Sequence, residues 1–187
     1  LSQKVSVLNN GFAQVTYTSD VARNDKVAIT VLGQSLSVPI TVKERYTGIV
    51  YVDTTGSDDN EGSINAPVAT VGKAIELANA GSHEIIINEG TYVGNGYAVT
   101  DDLKVTGNGK VTLDANNEGG FFATGYPTDA TKIELSNLIL TNAKGGISAG
   151  SGCAINSYAN EVILDNVTIV NSQANGYLIK SKGKLTI

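Results

Sequence analysis

Ile133-Glu-Leu-Ser-Asn137-Leu-Ile-Leu-Thr-Asn142 returns near the end of the chain as Val162-Ile-Leu-Asp-Asn166-Val-Thr-Ile-Val-Asn171. Both Asn positions recur at an interval of 29 residues (166 − 137 and 171 − 142). Each phrase alternates apolar and polar residues on either side of a short corner, the period-two pattern of a strand with one buried face. Short alternating strands that recur at about 20–45 residues predict a solenoid, in which each turn buries its apolar face on the next.

Working outward, other turns align by a leading glycine: Gly96-Tyr-Ala-Val99, Gly120-Phe-Phe-Ala123, Gly152-Cys-Ala-Ile155 and Gly176-Tyr-Leu-Ile179. The steps are 24 (120 − 96), 32 (152 − 120) and 24 (176 − 152) residues. A step near 24 accommodates three short strands and three corners, and the longer step leaves room for a protruding loop. Second and third strands follow at Leu103 to Val105 with Val111 to Leu113, Ile133 to Leu135 with Leu138 to Leu140, and Val162 to Leu164 with Val167 to Val170. The expected fold is therefore all-β, a right-handed parallel β-helix. Asn137 and Asn166 are expected to stack at one corner, where Asn tolerates left-handed backbone and its amide can bond to the amide on the next turn.

Upstream of the stack, Val71, Ala74, Ile75 and Ala78 fall on one helical stripe, with Thr70 as N-cap and Gly81 as stop. A single amphipathic helix over about 71–79 ahead of a β stack is read as a cap over its otherwise open end. Residues 1–44 read as three or four antiparallel strands around Lys4 to Leu8, Ala13 to Thr18, Lys26 to Leu32 and Ser35 to Val42. The predicted domains are thus 1–44, a partial β module, and 45–187, the capped N-terminal turns of the solenoid.

Composition supports this class. The chain has 187 residues with 21 Gly but only 3 Pro and no Trp or Met, which suits many tight turns between short strands. A net charge of −5 argues against nucleic acid as a partner. The single cysteine, Cys153, rules out an internal disulfide framework and is read as a small buried apolar residue. No stretch reaches the roughly 18 apolar residues of a membrane span. With no initiator Met or signal peptide, and a terminus inside an expected strand, the sequence reads as a fragment, so a membrane contact is expected only through an anchor outside it.

The string from Ile49 to Tyr92 is the most specific part of the chain. Tyr51-Val-Asp53, Gly56-Ser-Asp-Asp-Asn-Glu-Gly62, Ala66-Pro67, Thr70, Ala74-Ile75, Gly81, Ile85-Ile-Ile87 and Glu89-Gly-Thr-Tyr92 together resemble the capped opening segment of pectate-lyase-like right-handed β-helix proteins. The strands around Asn10 to Tyr17, Val27 to Val31 and Val38 to Val42 resemble the last strands of the immunoglobulin-like repeats of bacterial and archaeal surface proteins. Taken together, the chain resembles an adhesin-like surface protein. The resemblance implies an extracellular or cell-surface location and a polysaccharide, cell-surface glycan or protein as partner. Because that superfamily holds both enzymes and non-enzymatic adhesins, the fold alone does not assign an activity.

The residues that chemistry would need are sparse. In the resembling family a lyase needs a carboxylate cluster for calcium and a basic residue, often Arg, yet Arg23 and Arg45 both precede the stack. Lys104, Lys110, Lys132 and Lys144 alternate with apolar strand positions and read as a solvated face. A hydrolase of this fold would carry Asn-Thr-Asp, an Asp pair, Gly-His-Gly and Arg-Ile-Lys; none of these occurs, and Asp101-Asp102 alone is a weak match. The only histidine, His83, has no partner that would make a zinc site or a triad. No catalytic residue is assigned, and the preferred function is non-enzymatic, with a polysaccharide lyase or hydrolase as the alternative. No cofactor is expected apart from possible calcium, for which Asp53, Asp58 and Asp59 in the oxygen-rich loop are the candidate ligands, although the spacing departs from a twelve-residue calcium loop. Phe122, Tyr126 and Tyr158 are the candidate ligand-binding residues, as rings on which sugars stack. Phe121 and Phe122, as strand neighbours, are expected to face opposite sides.

Overall fold

The computed structural model describes residues 2–7, 13–18, 23–31, 34–42, 48–125, 130–145 and 152–187. The chain divides into two compact units, Leu1–Arg45 and Tyr46–Ile187. In the first, β1 (Ser2–Val7) pairs antiparallel with β2 (Ala13–Thr18), and β3 (Arg23–Val31) pairs antiparallel with β4 (Gln34–Val42). Pro39 of β4 stands opposite Lys26 and has no N–H to give to a ladder.

The second unit is built from two parallel sheets. β5 (Val50–Val52), β6 (Glu84–Val93), β8 (Leu103–Asp114), β10 (Lys132–Thr141), β12 (Glu161–Val170) and β14 (Lys184–Thr186) form one, in the order β14-β12-β10-β8-β6-β5. The other runs β13-β11-β9-β7, from β7 (Tyr97–Val99), β9 (Phe122–Thr124), β11 (Gly152–Ser157) and β13 (Tyr177–Ser181). From β6 onward the chain alternates between them. Every pairing within both sheets is parallel.

Register turns the sequence repeat into packing. Val50, Ile85, Val105, Leu135 and Leu164 stand opposite one another across five strands and are all at most 5% exposed. Tyr92, Leu113 and Leu140 form a second buried row. Each such aliphatic residue contributes about 1.5–3 kcal/mol by leaving water. Between the rows the chain turns without leaving the sheet. β10 and β12 pass their corner at Asn137 (φ 56°) and Asn166 (φ 53°), one residue each in left-handed backbone. The second and third strands expected for each turn are therefore joined into one long strand, because a single left-handed residue redirects the chain while the ladder resumes at once on its far side.

The helix α1 (Val71–Leu77) is shorter than the expected 71–79 and continues as a wide helical turn, Ala78–Ser82, that contains Gly81 at φ 137°. Val71, Ala74, Ile75 and Ala78 are buried, and the helix packs against β5, β6 and β7. Thr70 caps it by accepting the Lys73 N–H, and Asp58 holds the cap in turn. Among the described residues no helix is long and apolar enough to cross a membrane.

Phe121 and Phe122 depart from expectation, since both are 1% exposed. Phe121 lies in the bend before β9, outside the strand, so the alternation rule does not reach it. The register moves with it: Tyr97 stands opposite Phe122, where the leading glycines align it with Phe121. Both rings pack on Tyr97, with centroids 6.4 and 5.6 Å away, and burial pushes the Tyr97 hydroxyl up to about 12.

Candidate functional site

The oxygen-rich loop uses its carboxylates to hold itself together. Asp53 Oδ1 accepts from the Thr55 N–H (2.9 Å) and hydroxyl (2.7 Å), and its Oδ2 accepts from Asn88 Nδ2 (2.9 Å). Those bonds, led by the Thr55 N–H, hold its carboxyl below the usual range. Asp58 Oδ1 accepts from the N–H groups of Ala69 (3.0 Å) and Thr70 (2.9 Å), and its Oδ2 from the Thr70 hydroxyl (2.7 Å). Asp59 meets Ser57 through its own N–H, and its carboxylate does not converge with the other two. Asp53 thus braces a turn and Asp58 the helix cap. Among the described residues no group of three or more His, Cys, Asp or Glu is placed to hold a metal ion.

Asp102, set aside in the sequence as a weak match, does the same work one turn later. Its Oδ1 accepts from the N–H groups of Thr131 (2.6 Å) and Lys132 (2.9 Å), and the Thr131 hydroxyl also donates to it. Burial raises its proton affinity, but these bonds together with the nearby His83 outweigh it and leave the carboxyl below the ordinary range. His83 occupies a left-handed corner at φ 60°, with Nδ1 3.2 Å from the Asp102 carbonyl oxygen, a structural position between helix and sheet.

The corner asparagines form polar rungs. Asn166 Nδ2 donates to Asn137 Oδ1 at 2.9 Å, and Asn108 Nδ2 donates to Asn88 Oδ1 at 3.1 Å. Between these pairs β8 departs from its neighbours, because Gly107-Asn-Gly-Lys110 stands where β10 has Asn137 alone. A side chain at Gly107 would put its Cβ 2.1 Å from the Asn137 carbonyl oxygen, so only glycine fits there. The detour leaves a shallow open groove of about 310 Å³, whose lining includes Lys110, Asn137, Ile139, Asn166 and Thr168. That is the low end of ligand-pocket sizes.

Of the three candidate rings, Phe122 is in the core and offers no face to a ligand. Tyr126 lies outside the described residues. Tyr158 is half-buried at the end of β11, with its N–H bonded to the Thr124 hydroxyl at 2.6 Å. Two ammonium groups approach its ring, Lys180 Nζ at 5.2 Å and Lys182 Nζ at 5.8 Å from the centroid. Lys180 also reaches the Tyr158 hydroxyl at 3.5 Å. Beside them, the Oδ1 of Asn156 is buried with no hydrogen-bond partner among the described residues. Tyr158, a candidate from the sequence, stands beside Lys180, the strand neighbour of Asn156; neither Asn156 nor Lys180 is singled out there. Asn156 and Lys180 meet through the register of β11 and β13, while Tyr158 and Lys182 lie just past the ends of those strands.

Four other lysines of this unit meet carboxylates. Lys104 pairs with Glu84 at 2.8 Å, Lys184 with Glu161 at 2.7 Å, Lys73 with Glu76 at 2.9 Å, and Lys132 with Glu134. Across the strands the signs alternate, Glu84 to Lys104 to Glu134 and Lys132 to Glu161 to Lys184. Comparison of the chain with family models, curated proteins and solved structures finds no match.

Proposed function

We propose that the second unit is a right-handed parallel β-helix with α1 covering its first turn, that the first unit is part of an immunoglobulin-like module, and that the chain is an adhesin-like element of an extracellular surface protein. On this reading it acts without catalysis, as a stiff body that offers side chains to glycans or proteins. The observation that carries it is how the charged groups are spent. Glu84, Lys104, Glu161 and Lys184 are paired across strands, and Asp53, Asp58 and Asp102 tie turns together. Such groups reinforce a scaffold, and an acid or base for catalysis needs its proton site open to a substrate.

The test is to apply the chain to a panel of immobilised glycans and, separately, to incubate it with soluble polysaccharides and weigh the products by mass spectrometry. Retention on glycans with polymers left intact is the expected result. Shortened or unsaturated oligosaccharides would overturn the non-enzymatic reading in favour of a lyase or hydrolase.

A further inference from the structure

The corner that β10 and β12 pass with one asparagine takes four residues in β8, Gly107-Asn-Gly-Lys110. Two of the four are glycines that accept no side chain without strain, Gly107 for want of space and Gly109 because it holds φ 94°. This detour breaks the asparagine ladder in two. Asn88 bonds to Asn108 on one side and Asn137 to Asn166 on the other, and no side-chain bond joins Asn108 to Asn137. The groove lies against the break and crosses β8, β10 and β12, about 10 Å at the usual strand spacing.

Its lining carries polar groups that the fold leaves unspent. At the β8 end, Lys110 makes no ion pair among the described residues, whereas Lys73, Lys104, Lys132 and Lys184 each meet a carboxylate. Asn137 gives its Oδ1 to Asn166, and its Nδ2 has no acceptor among the described residues. Toward β12, Asn166 has an Oδ1 with no donor among the described residues, and Thr168 adds an exposed hydroxyl. Between the two ends Ile139 is half-buried. No Asp or Glu lines the groove; Glu89 approaches Gly109 from β6 but lies outside the lining and makes no ion pair with Lys110. An ammonium beside an amide N–H suits an anionic oxygen, and an amide oxygen beside a hydroxyl suits sugar hydroxyls. The flank of Ile139 offers an apolar surface to a C–H face.

We propose that this groove binds a sugar unit that carries a carboxylate or a sulfate. The inference deepens the glycan-binding reading above and rests on it. Lys110 and Asn137 Nδ2 take the anion, Asn166 Oδ1 and the Thr168 hydroxyl take hydroxyls of the same or the next sugar, and Ile139 supports the ring between them.

The experiment measures retention of the full chain, in about 0.15 M salt, on dextran and on carboxymethyl-dextran and dextran sulfate of matched substitution. It compares the unchanged protein with Lys110→Gln, Thr168→Val and Lys144→Gln, the last an exposed lysine outside the groove. One or both anionic polymers should bind, and neutral dextran should not. Lys110→Gln should weaken binding about tenfold and Thr168→Val about threefold. Both positions are exposed, so the melting temperature should hold while binding falls. Lys144→Gln should change nothing; a loss equal to that of Lys110→Gln would mean general charge attraction and would overturn the site. Stronger retention on dextran sulfate assigns the anion as sulfate, and the reverse order assigns carboxylate. Retention indifferent to Lys110→Gln overturns the groove and leaves glycan binding standing. Equal retention on neutral dextran overturns the anionic class. Failure of both anionic polymers overturns the inference, while the glycan panel above judges the broader reading separately.

Discussion

Asn166 donates from its side-chain amide to that of Asn137, 2.9 Å away on the neighbouring strand, and both residues hold positive φ. Each Asn therefore does two things, permitting the turn and bonding across it. Asn137→Ala removes both and should destabilise the chain by about 1–2 kcal/mol, whereas Asn137→Gly keeps the backbone freedom and should cost less. Urea unfolding followed by far-ultraviolet circular dichroism would rank the two; equal losses would mean that the amide bond, not the backbone, dominates.

Gly107→Ala should cost more than either. The added methyl would sit 2.1 Å from a backbone oxygen that belongs to a paired strand and cannot swing aside. A loss of about 3 kcal/mol or more, with the groove beside Lys110 disturbed, is expected, because overpacking forces the backbone to shift. Thermal unfolding of the variant checks this.

Phe122→Ala should cost about 3–5 kcal/mol as a core cavity mutation and should leave glycan retention unchanged where the protein stays folded. Retention measured below the variant's own melting temperature separates the two effects. A selective loss of binding would return this ring to the ligand site.

Acid should reveal Asp102. Its folded carboxyl lies below the ordinary range, so its contribution is complete above the unfolded value of about 3.9 and is lost as pH falls through the folded value. Asp102→Asn should be less stable than the parent at pH 7, and the difference should shrink below about pH 4. A melting-temperature series from pH 2 to 7 checks the sign.

The strands were readable because burial here follows a period of two. Ile133 and Leu135, then Leu138 and Leu140, are the buried apolar positions of β10, and the Asn between the pairs marks the corner by residue type alone. The paired Phe121-Phe122 misled because a bend holds the first ring, and bends leave no periodic trace. The Asn156 and Lys180 meeting was hidden for a different reason. It depends on the register between β11 and β13, which shifts between Gly152 and Ile155, and no local pattern in either strand records that shift. In the oxygen-rich loop the donors that Asp53 and Asp58 meet, Thr55, Ala69 and Thr70, come together only through the turn and the helix cap, which the loop's spacing alone does not reveal.

The unbroken register between β10 and β12 has one more consequence. Residues 133–161 carry one strand of each sheet and end where the pattern begins again, 29 residues on. Duplicating that segment would insert a copy whose asparagine finds the same amide above and below it, and whose apolar row meets the same row. Because β10 and β12 hold equivalent phrases in unbroken register, such an insertion would widen the six-stranded sheet by one strand spacing, about 4.8 Å.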